Sequence, residues 1–144
     1  MSAPARLAGY LWRHAFVRFS AIGGVGYLLA VALLGFFTSV LKLDFAAANA
    51  LTIFLTMTFT WLGNRYFTFR DRRARGFSAV LQEWLKFMGA NGLGAVVNYL
   101  IALMLVHYAA APFGNKFAAQ AAGVLAGLVF NFTLSRTLVF RKTS

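Results

Sequence analysis

Four cations stand out by their position along the chain. Arg18 and Lys86 each precede a phenylalanine that begins a long uncharged stretch, while Arg65 and Arg136 each close one. Arginine carries a planar fork of donors that fits phosphate oxygens. Placed where hydrocarbon meets headgroup, these residues could hold a lipid phosphate while its acyl or prenyl tail stays in the bilayer. A plainer role fits them as well, that of topology signals in contact with anionic lipid.

The uncharged stretches themselves carry a second set of candidates, because a polar group at membrane depth is costly and implies a purpose. Asn49, Asn64, Asn91, Asn98, Asn131 and Tyr27 lead this set, with Thr52, Thr56, Gln120 and Tyr99 beside them. Asn98 lies near the middle of its stretch, where an unsatisfied amide costs most. It either makes a hydrogen bond between helices or lines a narrow polar path for a headgroup.

Other chemistry is excluded by what is missing. The chain has no cysteine, so no disulfide, thiolate nucleophile or cysteine-held metal is available. No Asp or Glu falls within the uncharged stretches, and His14 and His107 lie at their ends. Proton-coupled antiport, which needs an intramembrane carboxylate, has no candidate residue. That argues against a small multidrug exporter, whose first span carries an acid. Neither a catalytic constellation nor a cofactor site is expected.

These residues must be positioned by membrane helices. Of 144 residues, 60% are hydrophobic and 12% charged, with a mean hydropathy of +0.70. A water-soluble domain of this size is not that apolar. The stretches run from Phe19 to Leu41, from Phe45 up to Arg65, from Phe87 to Val106 and from Phe117 to Ser135. Each is close to the roughly 20 residues that cross about 30 Å of hydrocarbon.

The charge is strongly positive, 14 Lys and Arg against 3 Asp and Glu, for a net charge of +11. Nucleic acid is not the reason, because the cations sit in blocks between spans rather than on one face. Arg6, Arg13 and Arg18 precede the first span, and Arg65, Arg70, Arg72, Arg73, Arg75 and Lys86 separate the second from the third. Arg136, Arg141 and Lys142 follow the fourth. Only Lys42 and Lys116 lie on the other side, a division of twelve to two that places both termini in the cytoplasm. The first span is too long, and too closely followed by a second, to be a cleaved signal peptide.

Two segments read as interfacial. Before the third span, Phe77, Val80, Leu81, Trp84, Leu85 and Met88 recur at helical spacing, with Gln82, Glu83 and Lys86 opposite, which predicts a headgroup helix over about 77–86. Leu7, Leu11 and Ala15, with Tyr10 and Trp12 beside Arg13, form a weaker version.

Sliding the chain against itself reveals a repeat. Arg18-Phe19 with Gly24-Val25-Gly26 matches Lys86-Phe87 with Gly92-Leu93-Gly94, and Asp44, Ala47, Ala48 and Asn49 match Asn115, Ala118, Ala119 and Gln120. Asn64 through Arg70 matches Ser135 through Arg141. The units cover about 18–70 and 86–141, and the offset between them grows by three residues across the outer loop His107 to Lys116. Each is predicted to be a two-helix hairpin, and an even number of spans inserts both copies in the same direction. The fold predicted is therefore all-α, one transmembrane domain over 1–144, made of parallel repeats about an axis normal to the membrane.

Small residues at four-residue intervals, Ala119, Gly123, Gly127 and Asn131 in one span and Ala90, Gly94, Asn98 and Ala102 in another, predict close helix packing. Gly23, Gly26 and Ala30 contribute in the first span. Such seams, with so few helices, also lead us to expect a homodimer. Gly24-Val25-Gly26 has no preceding strand and no third glycine, so it is not a dinucleotide loop. Phe67 and Phe69, and likewise Leu138 and Phe140, alternate with polar residues. They predict either a short strand pair outside the hydrocarbon or anchors for the helix ends.

Taken together, Arg18-Phe19 before a glycine-rich span, Asn64-Arg65-Tyr66-Phe67-Thr68-Phe69 closing the second span, and Asn131-Phe132 with Arg136 to Phe140 closing the fourth resemble the GtrA-like family. Its members are small four-helix bacterial membrane proteins, and the likeness runs from about Val17 to Arg141. The resemblance implies a part in cell-surface polysaccharide synthesis at the inner membrane, by moving a polyprenyl-phosphate-linked sugar from the cytoplasmic to the outer leaflet without catalysis. It implies a partner glycosyltransferase too, since similar units serve as membrane domains of polyprenol-phosphate sugar synthases. A non-transporting anchor for such an enzyme is the alternative. Arg18, Arg65, Lys86 and Arg136 would receive the phosphate, with Asn64, Asn98 and Asn131 offering hydrogen bonds along the way. Ser135 departs from the pattern, standing where the first unit has Asn64.

Overall fold

The computed structural model describes residues 3–141. The side chains of Arg6, Leu7, Leu11, Trp12, Arg13, Lys116 and Gln120, and all of Lys142, which figure in the expectations above, lie outside the described residues. The chain folds as two compact units, Met1–Arg73 and Ala74–Ser144.

In the first unit, helix α1 (Ala3–Gly35) passes into a π-helical turn, Phe36–Val40, and helix α2 (Phe45–Gly63) packs back on it. Asp44 caps α2, its Oδ1 accepting from the Ala47 amide at 3.1 Å, which satisfies one donor that the helix cannot. The end of α2 widens into a second π-helical turn, Asn64–Thr68, followed by a 3-10 turn at Arg70–Arg72. In the second unit, α3 (Phe77–Tyr108) packs against α4 (Lys116–Leu134), and α4 again closes in a π-helical turn, Ser135–Val139. Gly76 precedes α3 with φ of 90°, a conformation that glycine adopts without steric cost.

Four helices are long and apolar enough to cross a membrane, over His14–Val40, Phe45–Thr68, Phe77–Tyr108 and Ala121–Val139. They correspond to the four predicted spans. All regular structure among the described residues is helical.

Two local expectations change. The segment over about 77–86 is the start of α3 and not a separate interfacial helix, because neither proline nor any other break stands between it and the span. The 32 residues of α3 give it a length of about 48 Å. The strand pair is replaced by π-helical turns, in which the Phe69 amide donates to the Asn64 carbonyl and the Phe140 amide to the Ser135 carbonyl, both at 2.8 Å. A bond to the fifth preceding residue leaves no room for strand pairing.

Within each unit the helices meet along small residues. A Cβ built on Gly26 would run into the Thr60 methyl, and one on Gly63 would lie 2.8 Å from the Ile22 side chain. In the second unit, a Cβ on Gly94 would overlap the Asn131 amide, while one on Gly123 would lie 2.5 Å from the Asn98 carbonyl. Gly26 and Gly94 occupy matching positions in the sequence repeat, as do Thr60 and Asn131. Two turns before that glycine, an aromatic contact ties the first helix of each unit to the chain after the π-helical turn. Phe19 meets Phe69 edge to face at 6.3 Å, and Phe87 meets Phe140 at 6.4 Å. Such pairs contribute roughly 0.5–1.5 kcal/mol beyond the burial of their area.

Candidate functional site at the helix ends

The π-helical turn Asn64–Thr68 is built around a buried amide. Asn64 is 1% exposed. Its Nδ2 donates to the Thr60 carbonyl at 2.9 Å, and its Oδ1 accepts from the Thr68 hydroxyl at 2.8 Å. With one donor and one acceptor engaged inside the turn, Asn64 shapes the backbone that carries the next residue. Replacing it with alanine is expected to cost about 1–3 kcal/mol, because the buried Thr68 hydroxyl loses its acceptor. Unfolding of the full chain in detergent measures this, and adding Thr68→Val should recover part of the loss.

That next residue is Arg65, 7% exposed, with its guanidinium 5.7 Å from the Trp61 ring centre and 5.8 Å from that of Tyr66. Stacking on aromatic faces fixes the plane of the guanidinium and removes part of its hydration shell. Trp61 is itself buried and Tyr66 is half-exposed. Arg18 is exposed and adjoins Phe19, whose ring holds Phe69.

In the second unit, Arg136 lies half-buried within the turn Ser135–Val139, and Lys86 is exposed beside Phe87. Ser135, at the position matching Asn64, is fully buried, and its hydroxyl has no hydrogen-bond partner. Val139 stands where the first unit has Thr68. This turn therefore lacks the side-chain bond that locks the first.

The intramembrane residues are distributed unevenly. Asn98 and Asn131 lie in the α3/α4 seam, their Oδ1 atoms buried without partners, against Gly123 and Gly94 respectively. Asn91 is half-buried and donates to the Phe87 carbonyl at 2.9 Å. Tyr27 and Asn49 line a groove of about 330 Å³ between α1 and α2, together with Ala30, Leu34, Thr52 and Thr56. The Thr52 and Thr56 hydroxyls are buried without partners. Elsewhere in the helices Thr38, Thr58, Thr133 and Thr137 each donate to the fourth preceding carbonyl.

Several residues at these helix ends escaped the sequence reading. Glu83, assigned to the polar side of an interfacial helix, is 3% exposed and shares a buried stripe with Phe87, Ala90 and Gly94. One carboxylate oxygen accepts from the Ala74 amide at 2.6 Å. Glu83 therefore puts a buried carboxylate in the same continuous helix as the third uncharged stretch, four residues before that stretch begins at Phe87. Its spacing of four from Phe87 was the available signal, outweighed by the polar neighbours Gln82 and Lys86. Trp61 and Tyr66 as ring contacts of Arg65, and Arg73 at 5.2 Å from the Tyr66 ring centre, were also not singled out. Among the described residues no group of His, Asp or Glu comes together as a metal site.

The GtrA/DPMS transmembrane domain matches residues 18–140 of the chain. No protein of curated function matches it.

Proposed function

Because the chain belongs to the GtrA/DPMS transmembrane-domain family, we propose that it moves a polyprenyl-phosphate-linked sugar from the cytoplasmic to the outer leaflet of a bacterial inner membrane. The observation that carries this reading is an arginine in the π-helical turn closing α2 and another in the turn closing α4, Arg65 and Arg136. π-Helical turns recur at functional sites because they displace a side chain from the regular helical face. Here the displaced residues bear the donors that a phosphate needs.

In this reading the two helix pairs are parallel repeats, and both termini face the cytoplasm, as the distribution of basic residues favours. Arg65 and Arg136, with Arg18 and Lys86 exposed nearby in their own units, receive the phosphate. The prenyl chain stays in hydrocarbon. Tyr27 and Asn49 in the α1/α2 groove offer polar contacts at depth, whereas Asn98 and Asn131 serve helix packing first. The protein performs no covalent chemistry, and net movement follows the gradient created by consumption of the sugar outside. Two copies supply a wider path than four helices alone.

The second reading is an anchor or accessory subunit for a polyprenyl-phosphate glycosyltransferase, favoured by the basic run Arg70–Arg75, most of which is exposed. Leaflet transfer of a labelled polyprenyl-phosphate sugar in proteoliposomes separates the two. Transfer well above protein-free vesicles supports the translocase. Transfer equal to protein-free vesicles, with several sugars and folded protein, overturns it in favour of the anchor.

A further inference from the structure

We infer that the groove between α1 and α2 receives the neutral, hydroxyl-bearing headgroup of a glycosylated lipid, with Thr52 and Thr56 as the residues that recognise it. The groove has a volume of about 330 Å³, and its described lining residues carry no charge. Thr52 is 4% exposed, and neither its hydroxyl nor that of Thr56 has a hydrogen-bond partner among the described residues. A threonine in a helix has the carbonyl four residues before it within reach, and Thr38, Thr58, Thr133 and Thr137 all use it. Thr52 and Thr56 do not, although they belong to the same helix as Thr58. Hydrocarbon offers no water in place of that bond, so each hydroxyl is left for a polar group of a ligand.

The second unit shows what chemistry fills the matching place. In the register of the sequence repeat, Ala30 corresponds to Asn98, Thr52 to Gly123 and Thr56 to Gly127. A Cβ on Gly123 would lie 2.6 Å from the Asn98 Oδ1, and one on Gly127 would lie 3.1 Å from the Asn98 Cβ. The Asn98 side chain therefore sits against both glycines. In the first unit Ala30 has no amide to place there, and threonines replace the glycines. One unit thus holds an amide where the other leaves a groove beside two hydroxyls. Tyr27 borders the same groove, 70% exposed and nine residues beyond Arg18, about 14 Å along the helix. Tyrosine ordinarily belongs at the membrane interface and not at this depth. Three hydroxyls and the Asn49 amide around an uncharged groove suit the neutral donors and acceptors of a sugar, whereas a phosphate finds no cation among these residues.

This rests on the reading that the chain handles a polyprenyl-phosphate sugar, and its test is a binding measurement that does not require transport. The full-length protein in a polyoxyethylene detergent, which has no sugar to compete, is titrated with a short isoprenyl phosphate carrying glucose, mannose or galactose. The unglycosylated phosphate and the free sugars are titrated beside it. Thr52→Val combined with Thr56→Val keeps nearly the same shape and removes both hydroxyls. It is expected to weaken the tightest glycosylated probe about tenfold, as for two lost hydrogen bonds, and to leave the unglycosylated phosphate within twofold. The unfolding midpoint should not fall, because no protein group loses a partner. Ala30→Asn, which gives the first unit the amide of the second, should weaken the same probe at least as much. Thr133→Val, which removes a hydroxyl bonded to its own helix, should bind normally.

Equal losses for the glycosylated and unglycosylated probes overturn the proposal, since the groove then holds the lipid chain. So does wild-type affinity in the double valine variant, or a glycosylated probe that binds no better than the bare phosphate with all three sugars. A free sugar that shows the full threonine-dependent loss would make the ligand a soluble one and overturn its assignment to a lipid. Threonine-dependent binding without leaflet transfer would retain this site and defeat the translocase, whereas transfer that the two valines leave unchanged would do the reverse.

Discussion

Gly123→Ala should destabilise the protein by about 3 kcal/mol, toward the upper end for overpacking a tight contact. The added methyl would lie 2.5 Å from the Asn98 backbone carbonyl, 2.6 Å from its Oδ1 and 3.1 Å from the Ala102 Cβ. A backbone carbonyl cannot rotate aside, so α3 and α4 would have to separate. Without a hydrophobic force between helices in lipid, the lost contact is not recovered elsewhere. Gly92→Ala is the matched control, since nothing lies within 4 Å of a Cβ there, and its effect should stay within about 0.5 kcal/mol. Denaturant titration of the purified protein in detergent reads both. Equal destabilisation at the two positions would mean that the seam is not the determinant of packing.

The second large effect concerns Arg65 and Arg136. Each replaced alone by glutamine should reduce leaflet transfer of a polyprenyl-phosphate sugar about tenfold, and the double replacement should bring it to the protein-free rate. A hydrogen bond to a charged group contributes about 1.5–3 kcal/mol, and 1.4 kcal/mol corresponds to a factor of about ten. Because Arg65 packs on Trp61 and Tyr66, its loss could also disturb the turn. Arg65→Lys separates these causes by keeping the charge while giving up the planar stacking. Partial transfer by the lysine variant, at unchanged thermal stability, is the expected outcome. Normal transfer by the double variant would remove these arginines from the mechanism.

The spans and the small-residue seams were legible because they rest on strong, extended signals. Twenty uncharged residues can be recognised without knowing their neighbours, and Gly94, Asn98, Gly123, Gly127 and Asn131 announce a close approach by their spacing. The π-helical turns were not legible. Five residues are too few for a period to emerge, and the alternation of Phe67 with Phe69 imitates a strand. Glu83 was misplaced because side-chain polarity was used to choose its face, whereas helix continuity put it in register with Phe87 and Ala90. The ring contact of Arg73 was hidden for another reason. It depends on a chain reversal through Arg70–Arg72, which residue types alone did not specify.

The turn at Asn64–Thr68 also sets a reading frame for whatever follows it. A π-helical circuit contains more residues than an α-helical one, so the turn takes up a residue that an α-helix continuing from α2 would not. Deleting one residue there would return the turn to α-helical geometry and leave Phe69 facing Phe19. The same deletion within α2 would rotate everything downstream by about 100°, the angle per residue in an α-helix, and take Phe69 off Phe19. Single-residue deletions are therefore better tolerated within the turn than in the helix before it.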